Sequence, residues 1–399
     1  MLATVEMISK EMQAKNFKFD RCEFAGAFGD IGVLFPLSAA LITINGMNPS
    51  VIFLFAGMLY LAAGIYFRVP VPVQPLKAVA IIAIAMKLSP IQISASGLLI
   101  GIILLILAFT GIIGTLNKIL SKAVIRGIQL GIGLLLMKSG FKMIVQPFEY
   151  SYLFLGIAGI FMIFLFRNKR TIPSVAALIL FGFIFALIFK KFGDGNFTFG
   201  MEKSVFKLPG LNDISSAFFL LVIPQLPLTL GNAIIASADA SKLYFKDRAN
   251  RVSEKRLAVS LGISNTIIGI CGGLPLCHGA GGVTAHYKFG ARTAGANIII
   301  GSTLIIVALL FGKAFVNLFN YFPIPLLGSM LIYVGFEHSK LIKSLFPNKE
   351  FIVVSLTIGI ISFFTKNILI ACLVGIGEEI LFRIIRKIRT KFFPIKLKD

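Results

Sequence analysis

The chain has 399 residues, 57% of them hydrophobic and 14% charged, with a formal net charge of +22. A globule in water must cover much of its surface with polar atoms, so this composition excludes an ordinary soluble enzyme or nucleic-acid-binding domain. It suits a lipid solvent, in which each spanning helix takes about 20 mostly apolar residues.

Residues 1–22 carry charges of both signs and no apolar stretch, and read as a cytoplasmic amphipathic lead-in rather than a signal peptide. Four spans follow, predicted at 24–45, 49–68, 72–87 and 93–116. Glu23 and Asp30 lie seven residues apart on one face of the first. Asp30, the deeper, either couples proton movement to transport or holds a nearby cation. The third span opens on Val69-Pro-Val-Pro-Val-Gln-Pro-Leu-Lys77, which is extended by its prolines. Pro75 then suits the first turn of a helix, with Gln74 at its cap and Lys77 and Ala78 just inside. Spans five to seven are predicted at 121–145, 150–166 and 171–190, with Arg126 as an interface anchor.

The second half begins at 215–240 with Pro224-Gln-Leu-Pro-Leu-Thr-Leu-Gly-Asn232. Gln225, Thr229 and Asn232 share a helix face, and either line a site with neutral donors or pack as core polar groups. Spans at 255–270, 276–290 and 291–312 follow, the middle one opening on Gly273-Leu-Pro-Leu-Cys-His-Gly-Ala-Gly-Gly282. Here Leu274 to Cys277 should be extended and His278 should open a helix through Gly279, Ala280, Gly281 and Gly282. His278 is either a donor to a substrate or a structural cap; His286 reads as structural. Spans at 322–338, 351–364 and 367–389 complete fourteen, followed by a basic tail, 391–399.

With the N-terminus in the cytoplasm, 29 of the 39 lysines and arginines fall on inward segments. That bias supports fourteen spans in the cell membrane with both termini inside, and accounts for the charge without nucleic acid. Gly29-Asp30 recurs as Gly231-Asn232 and Pro72-Val73 as Pro275-Leu276, at nearly one offset. Seven spans per half is odd, so the halves lie with opposite orientation. The fold class is an all-α polytopic membrane protein, a seven-plus-seven inverted repeat with spans three and ten interrupted.

Each interrupted helix starts with unpaired N–H groups and a positive dipole end, and two such ends facing across the midplane make an anion site. Lys77 is then either a contact to a bound dianion or the ion-pair partner of Asp30 or Glu23; a charge at that depth is costly. Cys22, Cys271, Cys277 and Cys372 show no metal-ligand spacing, and no catalytic triad is present, so no metal, cofactor or enzymatic activity is expected.

The segments Glu23-Phe-Ala-Gly-Ala-Phe-Gly-Asp-Ile-Gly with Pro36, Pro72-Val-Gln-Pro-Leu-Lys-Ala78, Pro224-Gln-Leu-Pro-Leu-Thr and Pro275-Leu-Cys-His-Gly-Ala-Gly-Gly282 with Tyr287-Lys-Phe-Gly-Ala-Arg292 resemble the molybdate transporter family, a relative of the sulfate permeases. The resemblance covers roughly residues 20–390. It implies the fold shared with sulfate and nucleobase permeases, in which a core domain (23–116 and 215–312) moves against a gate domain (117–214 and 313–390). It also implies molybdate as substrate, with sulfate or tungstate as alternatives. The regulatory domain common in sulfate permeases is missing, which fits the molybdate branch. Nucleobase permeases place carboxylates in spans eight and ten; Asn232 stands here instead. The partners expected are an inorganic oxyanion and the lipid bilayer, with a homodimer as a compatible assembly.

Overall fold

The computed structural model describes residues 17–113, 121–146, 148–166, 174–188, 198–203 and 208–392. They are helical almost throughout: α1 (Arg21–Asn45), α2 (Pro49–Phe67), α3 (Lys77–Met86), α4 (Pro90–Thr110), α5 (Lys122–Val145), α6 (Tyr150–Phe166), α7 (Ser174–Ile188), α8 (Leu211–Ala249), α9 (Glu254–Ile270), α10 (Ala280–Lys288), α11 (Gly295–Tyr321), α12 (Ile324–Ser339), α13 (Lys349–Thr365) and α14 (Ile368–Phe392). Six stretches, within α1, α2, α4, α5, α8 and α11, are long and apolar enough to cross a membrane. The protein is therefore a multi-pass helical membrane protein.

Most helix starts follow local chemistry. Asn48, Ser121, Ser253 and Asn348 each accept a backbone N–H from the first turn of α2, α5, α9 and α13, and Ser89 with Gln92 forms a capping box on α4. The two shortest helices depart from this rule. α3, ten residues long, is preceded by Leu76, and α10, nine long, by Gly279, and neither residue offers a capping side chain. At 1.5 Å per residue α3 covers about 15 Å, half the hydrocarbon thickness.

The other half of each interrupted span is extended. β1 (Gln74–Pro75) pairs antiparallel with β2 (Leu276–Cys277), in the register Gln74↔Cys277 and Pro75↔Leu276, and Leu76 N–H donates to the Pro275 carbonyl at 2.9 Å. This corrects two expectations. Gln74 and Pro75 are strand, not cap and first turn, because pairing across the halves already satisfies their backbone and the helix has only to begin at Lys77. His278 likewise lies outside the helix, which starts at Ala280 after an extended Gly279. Non-helical backbone at membrane depth survives only where protein satisfies it.

Around this crossing α2 packs on α11 and α4 on α9, while α5 packs on α12 and α13. Lipid gives helices no hydrophobic reason to associate, so close backbone approach has to supply the attraction. A β-carbon on Gly57 of α2 would lie 2.7 Å from the Gly301 carbonyl of α11, and one on Gly101 of α4 would lie 2.9 Å from the Gly262 carbonyl of α9. α8 carries π-helical turns at Phe218–Val222 and Thr229–Ile235, on either side of Pro224 and Pro227, whose missing N–H groups break the regular ladder.

Candidate functional site

The crossing of β1 and β2 places the starts of α3 and α10 side by side. Asp30, 3% exposed, sits where α1 is interrupted between Ala27 and Ile31, and both its oxygens accept from Gln74 Nε2 at 2.6 Å. The other end of that amide, Gln74 Oε1, is buried and without a donor. It points at the start of α10: a β-carbon on Gly279 would lie 2.5 Å from it and 3.4 Å from Asn232 Nδ2 of α8. One on Gly282 would lie 2.6 Å from Asp30 Oδ2. Only glycine lets these polar groups approach the backbone so closely.

Lys77 is the first residue of α3 and is half-buried. Among the described residues it has no carboxylate within 4.0 Å. Its ammonium is within electrostatic reach of Asp30 and of His338 on α12. In front of α10 the space is open: Gly281 is exposed, and a β-carbon there would meet nothing within 4 Å. Gly282 and Val283 N–H donate to the Gly279 carbonyl; among the described residues the Ala280 and Gly281 N–H groups have no acceptor.

The start of α3 is different. Gln225 of α8 accepts Ala78 N–H at 2.8 Å and Val79 N–H at 3.3 Å on its Oε1, and donates from Nε2 to Thr229 Oγ1 at 3.0 Å. The expectation that both half-helix ends present free N–H groups therefore holds for α10 and fails at Ala78 and Val79 of α3, where among the described residues the Lys77 N–H has no acceptor. Gln225 and Thr229 are both buried, and Asn232 is half-buried near Gly279.

A family model described as "Molybdate transporter of MFS superfamily" matches residues 22–136 and 217–337. The chain belongs to this family. Molybdate transporter 2 of Arabidopsis thaliana is 28% identical over 92% of this chain and 88% of its own length, and molybdate transporter 1 of the same plant is 26% identical over 80% and 79%. Among solved structures, the transmembrane domain of the cyanobacterial bicarbonate transporter BicA superposes with a TM-score of 0.64 at 16% identity, covering 88% of this chain and 97% of that one. Murine Slc26a9, an anion transporter in the inward-facing state, gives 0.67 at 16%, covering 92% and 68%. These two establish a shared fold. Both matched segments contain an interrupted span.

In this molybdate transporter family member, several residues expected at the site serve its frame instead. His278 Nδ1 lies 2.8 Å from the Pro72 carbonyl and Nε2 lies 3.0 Å from Ser260 Oγ. A carbonyl only accepts, so Nδ1 carries the proton and Nε2 accepts from the hydroxyl. Both ring nitrogens are occupied, leaving His278 nothing to donate to a ligand. Cys277 is buried, with its thiol 3.7 Å from the Pro75 carbonyl. Glu23 Oε1 accepts the N–H groups of Arg292 at 2.9 Å and Thr293 at 2.7 Å, fixing the turn before α11. His286 bonds the Gly26 carbonyl at 2.7 Å, the structural role expected of it. Arg126 Nη1 reaches Gln129 Oε1 at 2.7 Å and its Nε reaches Ser344 Oγ at 2.8 Å.

Two residues that hold the site escaped the sequence reading. Asn265 of α9 accepts Leu276 N–H at 2.7 Å and donates to the Leu276 carbonyl at 2.9 Å. Asn297 of α11 accepts Val71 N–H at 3.2 Å and donates to the Val71 carbonyl at 2.7 Å. Both are fully buried. Each amide mimics a neighbouring strand for one extended segment. The available signal was an asparagine inside an otherwise apolar span, where an unpaired amide is costly.

Proposed function

We propose that this protein carries a tetrahedral dianionic oxyanion, molybdate foremost, across the cell membrane by alternating access. The anion sits between the starts of α3 and α10. The observation that carries this reading is Lys77: a half-buried ammonium with no carboxylate within 4.0 Å among the described residues, at the same crossing as the open, unpaired N–H groups of Ala280 and Gly281. A dianion relieves the ammonium, which the dipole of α3 disfavours, and the orphan donors together. The relatives named as molybdate transporters and the fold shared with a bicarbonate transporter support an anionic cargo.

The same reading takes the fourteen helices as spans of a seven-plus-seven inverted repeat with both termini cytoplasmic. Exchange of the halves turns the α2–α11 contact into the α9–α4 contact, and both are observed. Core segments 23–116 and 215–312 then move against gate segments 117–214 and 313–390.

Uptake into vesicles holding the purified protein, with molybdate, tungstate, sulfate and phosphate in competition, tests this. Saturable molybdate uptake with counterflow is expected. Sulfate or tungstate outcompeting molybdate reassigns the cargo. Flux without saturation or counterflow makes the protein a passive channel, and no oxyanion flux at all refutes the reading.

A further inference from the structure

The helices with capping side chains take them from residues adjacent in sequence, whereas α3 is capped by Gln225, 147 residues from Ala78. Gln225 is 2% exposed, and both ends of its amide are engaged, Oε1 on the two N–H groups of α3 and Nε2 on Thr229. Its oxygen accepts from the donors that an oxyanion oxygen would use, one residue beyond Lys77. It supplies an acceptor there without adding a charge.

We propose that Gln225 is an internal stand-in for the transported anion, holding the N–H pair of α3 in the empty pocket and yielding it to an arriving dianion. The inference rests on the pocket proposed above. Displacement exchanges two neutral hydrogen bonds for two charge-assisted ones, which a dianion wins and a neutral or weakly accepting solute does not. Gln225 is thereby a specificity-determining residue. It also lowers apparent affinity, because the binding-competent arrangement with Ala78 and Val79 N–H free is only a fraction of the empty protein. With the Ala78 and Val79 N–H groups held by Gln225, the α3 side reorients without stranding those two buried donors.

The test is molybdate binding to the purified full-length protein at neutral pH, by calorimetry. Gln225→Met keeps length and removes the competing acceptor; binding roughly three- to tenfold tighter is expected. Gln225→Glu replaces the amide oxygen with a carboxylate in the same place; binding weaker by about tenfold or more is expected. Gln225→Asn, too short to reach Ala78 N–H, should follow the methionine variant and replaces it as the test should that one fail to fold. A gain in affinity is an effect that damage to the fold does not produce. Unchanged or weaker binding in both the Met and Asn variants overturns the proposal. In that case a large loss of binding in Lys77→Ala leaves the pocket itself standing, whereas a wild-type protein that binds neither molybdate, tungstate nor sulfate refutes both.

Discussion

The starts of α3 and α10 lie against each other through β1 and β2, yet their backbones are in opposite conditions. At α3 the Ala78 and Val79 N–H groups are taken by Gln225, and the charge is supplied by a side chain, Lys77. At α10 the Ala280 and Gly281 N–H groups have no acceptor among the described residues, no cation is in the first turn, and Gly281 faces open space. One end therefore offers a full charge with a backbone largely satisfied by Gln225, and the other a bare dipole with two unsatisfied N–H groups. An anion placed between them meets two different kinds of positive potential, and a repeat in sequence has become a division of labour in chemistry.

Lys77→Ala should break that comparison most severely. It removes the only full charge of the pair, and a lost charge-assisted contact of about 2–3 kcal/mol weakens binding roughly 30- to 150-fold. Vesicle uptake with a membrane-insertion control measures it, and unchanged uptake removes Lys77 from the site. Next come the two clamps. Asn265→Leu strands the N–H and carbonyl of Leu276, and Asn297→Leu those of Val71, at about 1–3 kcal/mol for each stranded group. Both should lower the thermal midpoint. Only Asn265→Leu should also depress uptake by the folded fraction, because the segment it frees leads to the open end.

Two neighbouring glycines sharpen the contrast at smaller cost. A methyl group at Gly282 meets Asp30 and Pro72, so Gly282→Ala should destabilise by about 1–3 kcal/mol in thermal melts. Gly281→Ala meets nothing and should leave the melt within about 0.5 kcal/mol of wild type. Gly281→Leu, whose β-carbon also meets nothing within 4 Å, should melt near wild type and lose uptake, since its side chain extends into the space proposed for the anion. Normal uptake by the leucine variant would move the anion away from α10.

Much of this arrangement was legible in the sequence, for local reasons. Val69-Pro-Val-Pro-Val and the Gly272-Gly-Leu-Pro275 stretch disfavour a continuous helix wherever the chain is placed, so the two breaks follow from backbone chemistry. The four-residue spacing of Gln225 and Thr229 announced a shared face, and the two side chains do bond. What stayed hidden depends on contacts between distant segments. The helix begins at Lys77 instead of Pro75 because Leu276, some 200 residues away, pairs with Pro75. His278 and Glu23 looked available until Ser260, Pro72, Arg292 and Thr293 were brought to them by the fold. Helices that are apolar all round give no periodic signal of which face meets which neighbour.

The bonds that join β1 to β2 tie the pocket's two walls to each other rather than to the surrounding helices. Prising the walls apart would leave main-chain groups bare in oil, a cost that opposes any change in the gap between them. On the proposed reading, a caliper set in this way would measure a passenger identically from either side of the membrane, and discrimination between oxyanions of different radius would be built only once.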